Sequence, residues 1–483
     1  MPSVDNVRHM LQNTSVIRIT QDINLGGEKI VLRDAAKIIF LKGIIKNGTL
    51  SGKDIKIYSS RKKIFDNCNF EGSWKVDTAF PEWFGAVNDG KYDCTRAIQD
   101  MFNFMQSTGT YNCKFSKCRY DKGRFYLISK TIYIRQPVKI DGSEAYISSR
   151  SVITFMDNPK NRLYLTDGIG FYICGNGIAQ RKRTDISLNV KLHAKSFYFS
   201  QLDNVYVHDC YISSFSDDRK TKGNLYTYWY GFHCDELSNA IFENIHIDQP
   251  SNNTYNSSDG IHISGGCHDI LIDNCYGQAG DDFIAMNANE NHSGNIYNIV
   301  IKNCVIGRKI SSVSGIRFYG STRLSHASGQ PQLKISDVTI DNCYISTSLS
   351  PCIFFANNPD WKKADRASHK LFVEKISIKN CELQSQRFCK NKKSILIGGT
   401  ECNNILIDDV CIPEEKSDCV SLLFFQGLNA LNMIRIRDCR SNKRRIVKIG
   451  FTDDSRIKVI SQLWQEPINK EGESIDLDFV KGH

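Results

Sequence analysis

The sequence has no apolar run approaching the roughly 18 residues of a membrane-spanning helix, so none is expected and no membrane partner follows. It has no CxxC pair at zinc-site spacing, which removes the commonest cysteine metal centres. It has no long run of lysine and arginine, so a nucleic-acid-binding tail is not expected. Its start, Met1-Pro2-Ser3-Val4-Asp5, lacks the basic and apolar regions of a secretory signal. A secreted or periplasmic location is expected if a signal has been removed, and a virion-associated or cytoplasmic one otherwise. Finally, no ten-residue helical pattern separates the strand-like segments, which excludes an array of βαβ units.

What is present is a recurring phrase. Alternating β-branched residues lead into a polar pair, then Cys, then a second alternation. It reads Val205-Tyr206-Val207-His208-Asp209-Cys210 and returns as Ile270-Leu271-Ile272-Asp273-Asn274-Cys275. Further copies end on Cys304, Cys343, Cys381 and Cys439, and two degenerate copies place Ile245 and Val410 in the same slot. Alternation at period two predicts strands. A fixed slot returning at intervals of 29 to 39 residues predicts stacked units of one kind. The reading is an all-β chain wound as a parallel coil, each turn hydrogen-bonded to the next, with the variable spacing taken up by corner loops.

The same reading explains much of the unusual count of 18 cysteines. A Cys returning after Asn or Asp at a bend forms an inward stack of small apolar groups, and free Cys is among the most buried residue types. Reduced core cysteines are therefore expected, with no metal among them.

Residues 1–75 carry related phrases, Ile44-Ile45-Lys46-Asn47-Gly48 and Ile64-Phe65-Asp66-Asn67-Cys68, and read as a small, irregular β-rich head. A helix near 93–106 follows, with Asp93 as its cap and Ile98, Phe102 and Met105 on its apolar face. Such a helix closes the open end of a coil. The coil itself is expected over 76–455, and 456–483 as a cap or tail.

Trp83-Phe84-Gly85-Ala86, then Asp89-Gly90 and Thr95-Arg96-Ala97-Ile98-Gln99, resembles the opening segment of pectin-lyase-like right-handed parallel β-helix proteins. That group includes secreted polysaccharide-degrading enzymes and phage tailspikes. A second stretch is sharper. Ser257-Ser258-Asp259-Gly260 followed by Gly280-Asp281-Asp282 resembles the Asn-Thr-Asp-Gly and Gly-Asp-Asp motifs of polygalacturonases, which are inverting glycoside hydrolases. The resemblance implies that Asp281 donates the proton and that Asp259 and Asp282 activate water. Two motifs of that family have no counterpart. The place of its Gly-His-Gly reads Ser314-Gly315-Ile316-Arg317-Phe318, and no Arg-Ile-Lys occurs on the next turn, Pro351-Cys352-Ile353-Phe354-Phe355.

The three acids also stand on the physics of the residues. Asp259 and Asp281 are 22 residues apart, close to one turn, which puts them on adjacent rungs about 4.8 Å apart along the axis. Mutual repulsion must then raise at least one pKa. Inversion needs the acid and base roughly 6.5–9.5 Å apart, which lateral offset is expected to supply. Strand parity places His233, His262 and Arg317 on the outward side of the same face. The expected substrate contacts are these three with Trp229, Tyr230 and Trp361 from aromatic, cation-bearing corner loops. The net charge of +10 favours an acidic chain.

The leading expectation is thus a hydrolase cleaving an acidic polysaccharide, without a cofactor. The first alternative is a polysaccharide lyase, with His262 or His233 as base, Arg317 on the uronate and Ca²⁺ held by the Asp trio. The second is a non-catalytic tailspike or adhesin shaft. A monomer and a homotrimer both remain open.

Overall fold

A computed structural model describes residues 4–149, 170–175, 182–192, 195–214, 230–249, 258–288, 294–308, 312–320, 333–357, 372–385, 393–398, 401–413, 421–426, 429–431, 434–437, 439–441, 446–451, 457–460, 463–465 and 476–481. The chain forms two compact units, 1–175 with 180–193, and 176–179 with 194–483.

The larger unit is a right-handed parallel β-helix. Its repeating element is a turn of three short strands. One turn supplies Ile261–Ile263, His268–Asp273 and Tyr276–Gln278, and the next supplies Asp282–Asn287, Ile296–Lys302 and Val305–Ile306. Each strand pairs in parallel with its counterpart one turn on, as in Ile261↔Ile284↔Ile316↔Ile353↔Ile395. Alternate residues point inward at fully buried positions, so the core is a set of columns of like side chains. Phe197 stacks on Phe232 at 5.5 Å between ring centroids, and Phe318 on Phe355 at 4.4 Å. Strands Ile457–Ile460 and Leu463–Gln465 extend the same register.

Two bends shape each turn, and both depend on left-handed backbone. Asn244, Asn274, Asn303, Asn342 and Asn380 sit at φ between 51 and 55, each just before the recurring slot. Asparagine tolerates this conformation better than other residues with a Cβ. Their side chains also bond along the axis: Asn303 donates to Asp273 at 2.8 Å, and Asn342 donates to Asn303 at 2.8 Å. The cysteines that follow are buried, and every described cysteine is free of disulfides. Hydrogen bonding between neighbouring thiols, with burial, raises the pKa of Cys304, Cys343 and Cys381. The second bend lies upstream, at Asn204, Asn239, Asp269, Asn298, Asp337, Lys375 and Asn404, all at φ between 49 and 61. The repeated phrase does not announce it, because the slot accepts Asn, Asp and Lys alike.

The smaller unit begins with a helix, Val4–Asn13, and a more regular head than expected. Strands Val16–Ile19, Lys37–Phe40 and Ile45–Tyr58 pair in parallel at steps of 21 and 19 residues, as Val16↔Lys37↔Lys56 shows. The head is therefore itself a short coil with tighter turns. It uses the same device, with Asn47 and Asn67 at φ 58 and 51 and their amides 3.2 Å apart. The helix Thr95–Thr108 follows; its N-cap position is Cys94 rather than the expected Asp93, which lies one residue earlier and accepts from the Thr95 N–H at 2.9 Å. It buries Ile98, Phe102 and Met105 as expected, but also Phe104 on a second side. Phe104 packs edge-on to Phe70 at 4.8 Å and touches Phe65, Trp74, Trp83 and Phe84. That aromatic cluster joins the helix to the head strand Phe65–Trp74.

Candidate active site

The site lies in the larger unit, where two turns follow one another most closely. The step from Ile261 to Ile284 is 23 residues, against 32 for the next step, Ile284 to Ile316. The register carries Asp259 directly across from Asp282: Gly260 N–H donates to Asp282 O at 2.9 Å, and Asp282 N–H donates to Asp259 Oδ1 at 3.2 Å. Asp281 precedes Asp282 on the same strand end and donates its N–H to Ser258 O at 3.0 Å. One oxygen from each of the three carboxyls lies within 4.8 Å of the others. Asp259 and Asp282 face each other in register, and Asp281 stands one residue along the strand from that pair.

Each acid has a different environment. Asp259 is buried and accepts from His262 Nδ1 at 2.6 Å. Asp282 is buried and accepts from the Arg317 guanidinium at 3.2 Å. Asp281 is half-buried and has no cation or imidazole within hydrogen-bond distance among the described residues. Burial raises the Asp281 pKa well above its ordinary value, and the charges of Asp282 and Asp259 raise it further. Burial also raises Asp282, with Arg317 working against that shift. Asp281 is thus the carboxyl whose burial and acidic neighbours favour its protonated form, and it is also the one with partial access to solvent. Arg317 stays cationic: burial disfavours its charge, but Asp282 and Asp281 more than restore it.

The expected contact residues separate into three groups. Trp229 and Trp361 lie outside the described residues. His233 and His262 leave their strands on the outward side, in one column with Tyr198, Ala285 and Arg317, as parity predicts. They are nonetheless buried, because aromatic side chains cover them. Tyr198 stacks on His233 at 4.6 Å, and Tyr230 lies flat on His262 at 4.3 Å. Tyr230, expected to meet a sugar face, is 4% exposed and serves as that cover. His233 bonds Ser264 Oγ through Nε2 at 2.9 Å, and burial, with Lys195 and His262 nearby, holds it neutral. Arg317 does not stand ready for a substrate acid alone. It pairs with Asp282 and lies over the rings of Tyr319 and Phe354, at 4.2 and 5.7 Å.

Three further participants were not singled out from sequence. Tyr198 donates to Asp235 at 3.0 Å while its ring stacks on His233. Lys195 places its ammonium 4.8 Å from the Tyr198 ring and 5.5 Å from the Tyr230 ring. Gln249 donates to the carbonyl of Asp259 at 3.1 Å and fixes that corner. The signal for Tyr198 was available, since Phe197-Tyr198-Phe199 has the parity of Phe232-His233-Cys234 one turn on.

No family model and no curated protein matches the sequence. Solved structures do resemble the fold. A Family 28 exopolygalacturonase of Yersinia enterocolitica aligns over 80% of this chain and 79% of its own at 12% identity, with a TM-score of 0.43. The surface protein and adhesin PfbA of Streptococcus pneumoniae aligns over 78% and 98% at 14% identity, TM-score 0.42. An exopolygalacturonase of Thermotoga maritima aligns over 74% and 91% at 13% identity, TM-score 0.42. At these values the likenesses carry nothing about the reaction, and the chemistry rests on the geometry above.

Proposed function

We propose that the protein is a glycoside hydrolase that cleaves a polysaccharide at the Asp259–Asp281–Asp282 cluster. The observation that carries this reading is the asymmetry of the trio. Two buried carboxyls are held by an imidazole and a guanidinium, while the third, half-buried and without such a partner, is pushed toward its protonated form by burial and by its two acidic neighbours. Asp281 would protonate the leaving oxygen, as a raised carboxyl does near neutral pH. Asp259 and Asp282 would hold the attacking water, with His262 and Arg317 fixing their orientation. An acidic substrate is part of the proposal. With Arg317 engaged by Asp282, Lys195 becomes the second cation for its acid groups.

The polygalacturonase resemblance implies inversion, and retention with Asp259 or Asp282 as nucleophile is the other course for the same bond. The lyase reading is less well supported: its bases, His233 and His262, are buried under tyrosine rings at 1% and 3% exposure.

The test is incubation of the purified protein with a panel of acidic and neutral polysaccharides, read by product mass. Products that have gained water support hydrolysis, and proton NMR of the first-formed anomer then separates inversion from retention. Products with a new unsaturated uronate absorbance, lost on chelation, would establish a Ca²⁺-dependent lyase instead. No turnover on any polymer would leave a binding coil.

A further inference from the structure

The third strand of each turn carries a second feature that the catalytic proposal does not use. Tyr211, His246 and Tyr276 stand in one column on consecutive turns, on the outward side. Tyr276 lies nearly parallel to His246, 4.6 Å away at 14°, and Tyr211 meets His246 edge-on at 4.9 Å. Tyr276 nevertheless remains 41% exposed. On the following turn its column continues with Val305, which is too short to cover the ring's other face. Beside this stack sits Asp248. Its two oxygens accept from the Tyr211 hydroxyl at 2.9 Å and from the Gln278 amide at 3.1 Å. Gly277 lets the strands approach here. It sits at φ 126, and a Cβ on it would lie 1.8 Å from the Ile247 carbonyl oxygen.

We propose that this face, centred on Tyr276, is a second glycan-binding site that seats a pyranose ring of the chain whose scissile bond lies at the acids. The chemistry is specific to sugar. A rigid, half-exposed ring offers a flat apolar surface to the C–H face of a pyranose. A carboxylate fixed through both oxygens retains lone pairs that accept vicinal hydroxyls. Because His246, Tyr211 and Gln278 already hold the ring and the carboxylate, little side-chain ordering is lost on binding. The acids follow on the same turn: Gln278 is three residues before Asp281, around one corner. That a polysaccharide is the ligand rests on the function proposed above.

The test is affinity electrophoresis of the full chain in native gels containing dextran, laminarin, polygalacturonate or carboxyl-reduced polygalacturonate. The wild-type protein should be retarded by at least one polymer. Tyr276→Ala should raise the dissociation constant about 3- to 10-fold, the size of one aromatic contact. Tyr276→Phe should bind as wild type. Tyr297 supplies the control: it is 40% exposed and stacked on His268, but stands on a second strand, and Tyr297→Ala should change nothing. No retardation in any gel, or retardation unchanged by Tyr276→Ala, or loss shared by Tyr297→Ala, would overturn the proposal. Tyr276-dependent binding without turnover on any polymer would keep this site and remove the hydrolase. Turnover with Tyr276-independent binding would do the reverse. The charged and reduced forms of one polymer show whether the seated unit carries an acid group.

Discussion

At the corner after each second strand, turn upon turn repeats the same residues: Asn274-Cys275, Asn303-Cys304, Asn342-Cys343 and Asn380-Cys381. At the corner before each first strand the residues change from turn to turn, and one column reads Tyr230, Asp259, Asp282, Ser314. Both corners follow the same period, and both place side chains about 4.8 Å apart along the axis. The first uses that spacing to satisfy polar groups by their like neighbours, amide to amide and thiol to thiol. The second brings together like charges that repel. A ladder of neutral hydrogen-bonding residues favours the folded state at every rung. A cluster of carboxylates disfavours it, which is the trade expected where stability is given up for reactivity. The difference marks the second corner as the candidate site.

The largest effect should come from removing the charge that breaks the pattern. Asp281→Asn keeps the shape and removes the acid, and should lower turnover by roughly 10²–10⁴-fold. Asp259→Asn should do likewise. Asp269→Asn, at the upstream bend with φ 55, should leave turnover intact, since Asn suits that backbone. The same Asp281 variant should gain stability at neutral pH. A carboxyl whose folded-state pKa is raised costs stability as pH climbs from its ordinary 3.8 through the raised value. Thermal melts at pH 4 and pH 8 should therefore show the variant's advantage only at the higher pH. Near wild-type turnover in Asp281→Asn would place the chemistry elsewhere and end the contrast between the two corners.

A smaller effect is expected in the scaffold. Asn303→Ala should destabilise by about 1–3 kcal/mol, from the left-handed backbone and the lost amide bonds, without changing turnover per folded molecule. Asn303→Gly should recover the backbone part alone. Denaturant melts with activity measured in parallel check this, and equal stability of the Ala and Gly variants would show that the bend is unstrained.

The smallest signal concerns the thiols. Cys210, Cys275, Cys304, Cys343, Cys381 and Cys439 are buried at the bends. Titration of protein unfolded without reductant should find all six free. A count showing most of them oxidised would replace the thiol ladder with a disulfide framework.

The repeated phrase was legible as a coil because each copy states its own strand, bend and inward slot within about ten residues. Period-two alternation also put His233, His262 and Arg317 on the correct side of their strands. Outward, however, did not mean exposed. Parity fixes a direction, while cover comes from Tyr198 and Tyr230 on neighbouring turns, and sequence distance does not say which turn's ring lies over which imidazole. The upstream bend and the second buried side of the Thr95–Thr108 helix were hidden for the same reason, since Phe104 packs on Phe65, Phe70 and Trp74 some 30 to 40 residues away.

The sequence by itself determined the architecture and the identity of the three acids. Local periodicity dictates strands, and a recurring slot dictates their stacking. Only the tertiary structure decided what those acids can do. The register set Asp259 opposite Asp282, gave one carboxyl to His262 and the other to Arg317, and left Asp281 beside both acids with neither partner. Those assignments depend on side chains from separate turns meeting within hydrogen-bond distance. A charge's environment is a property of space, not of order along the chain.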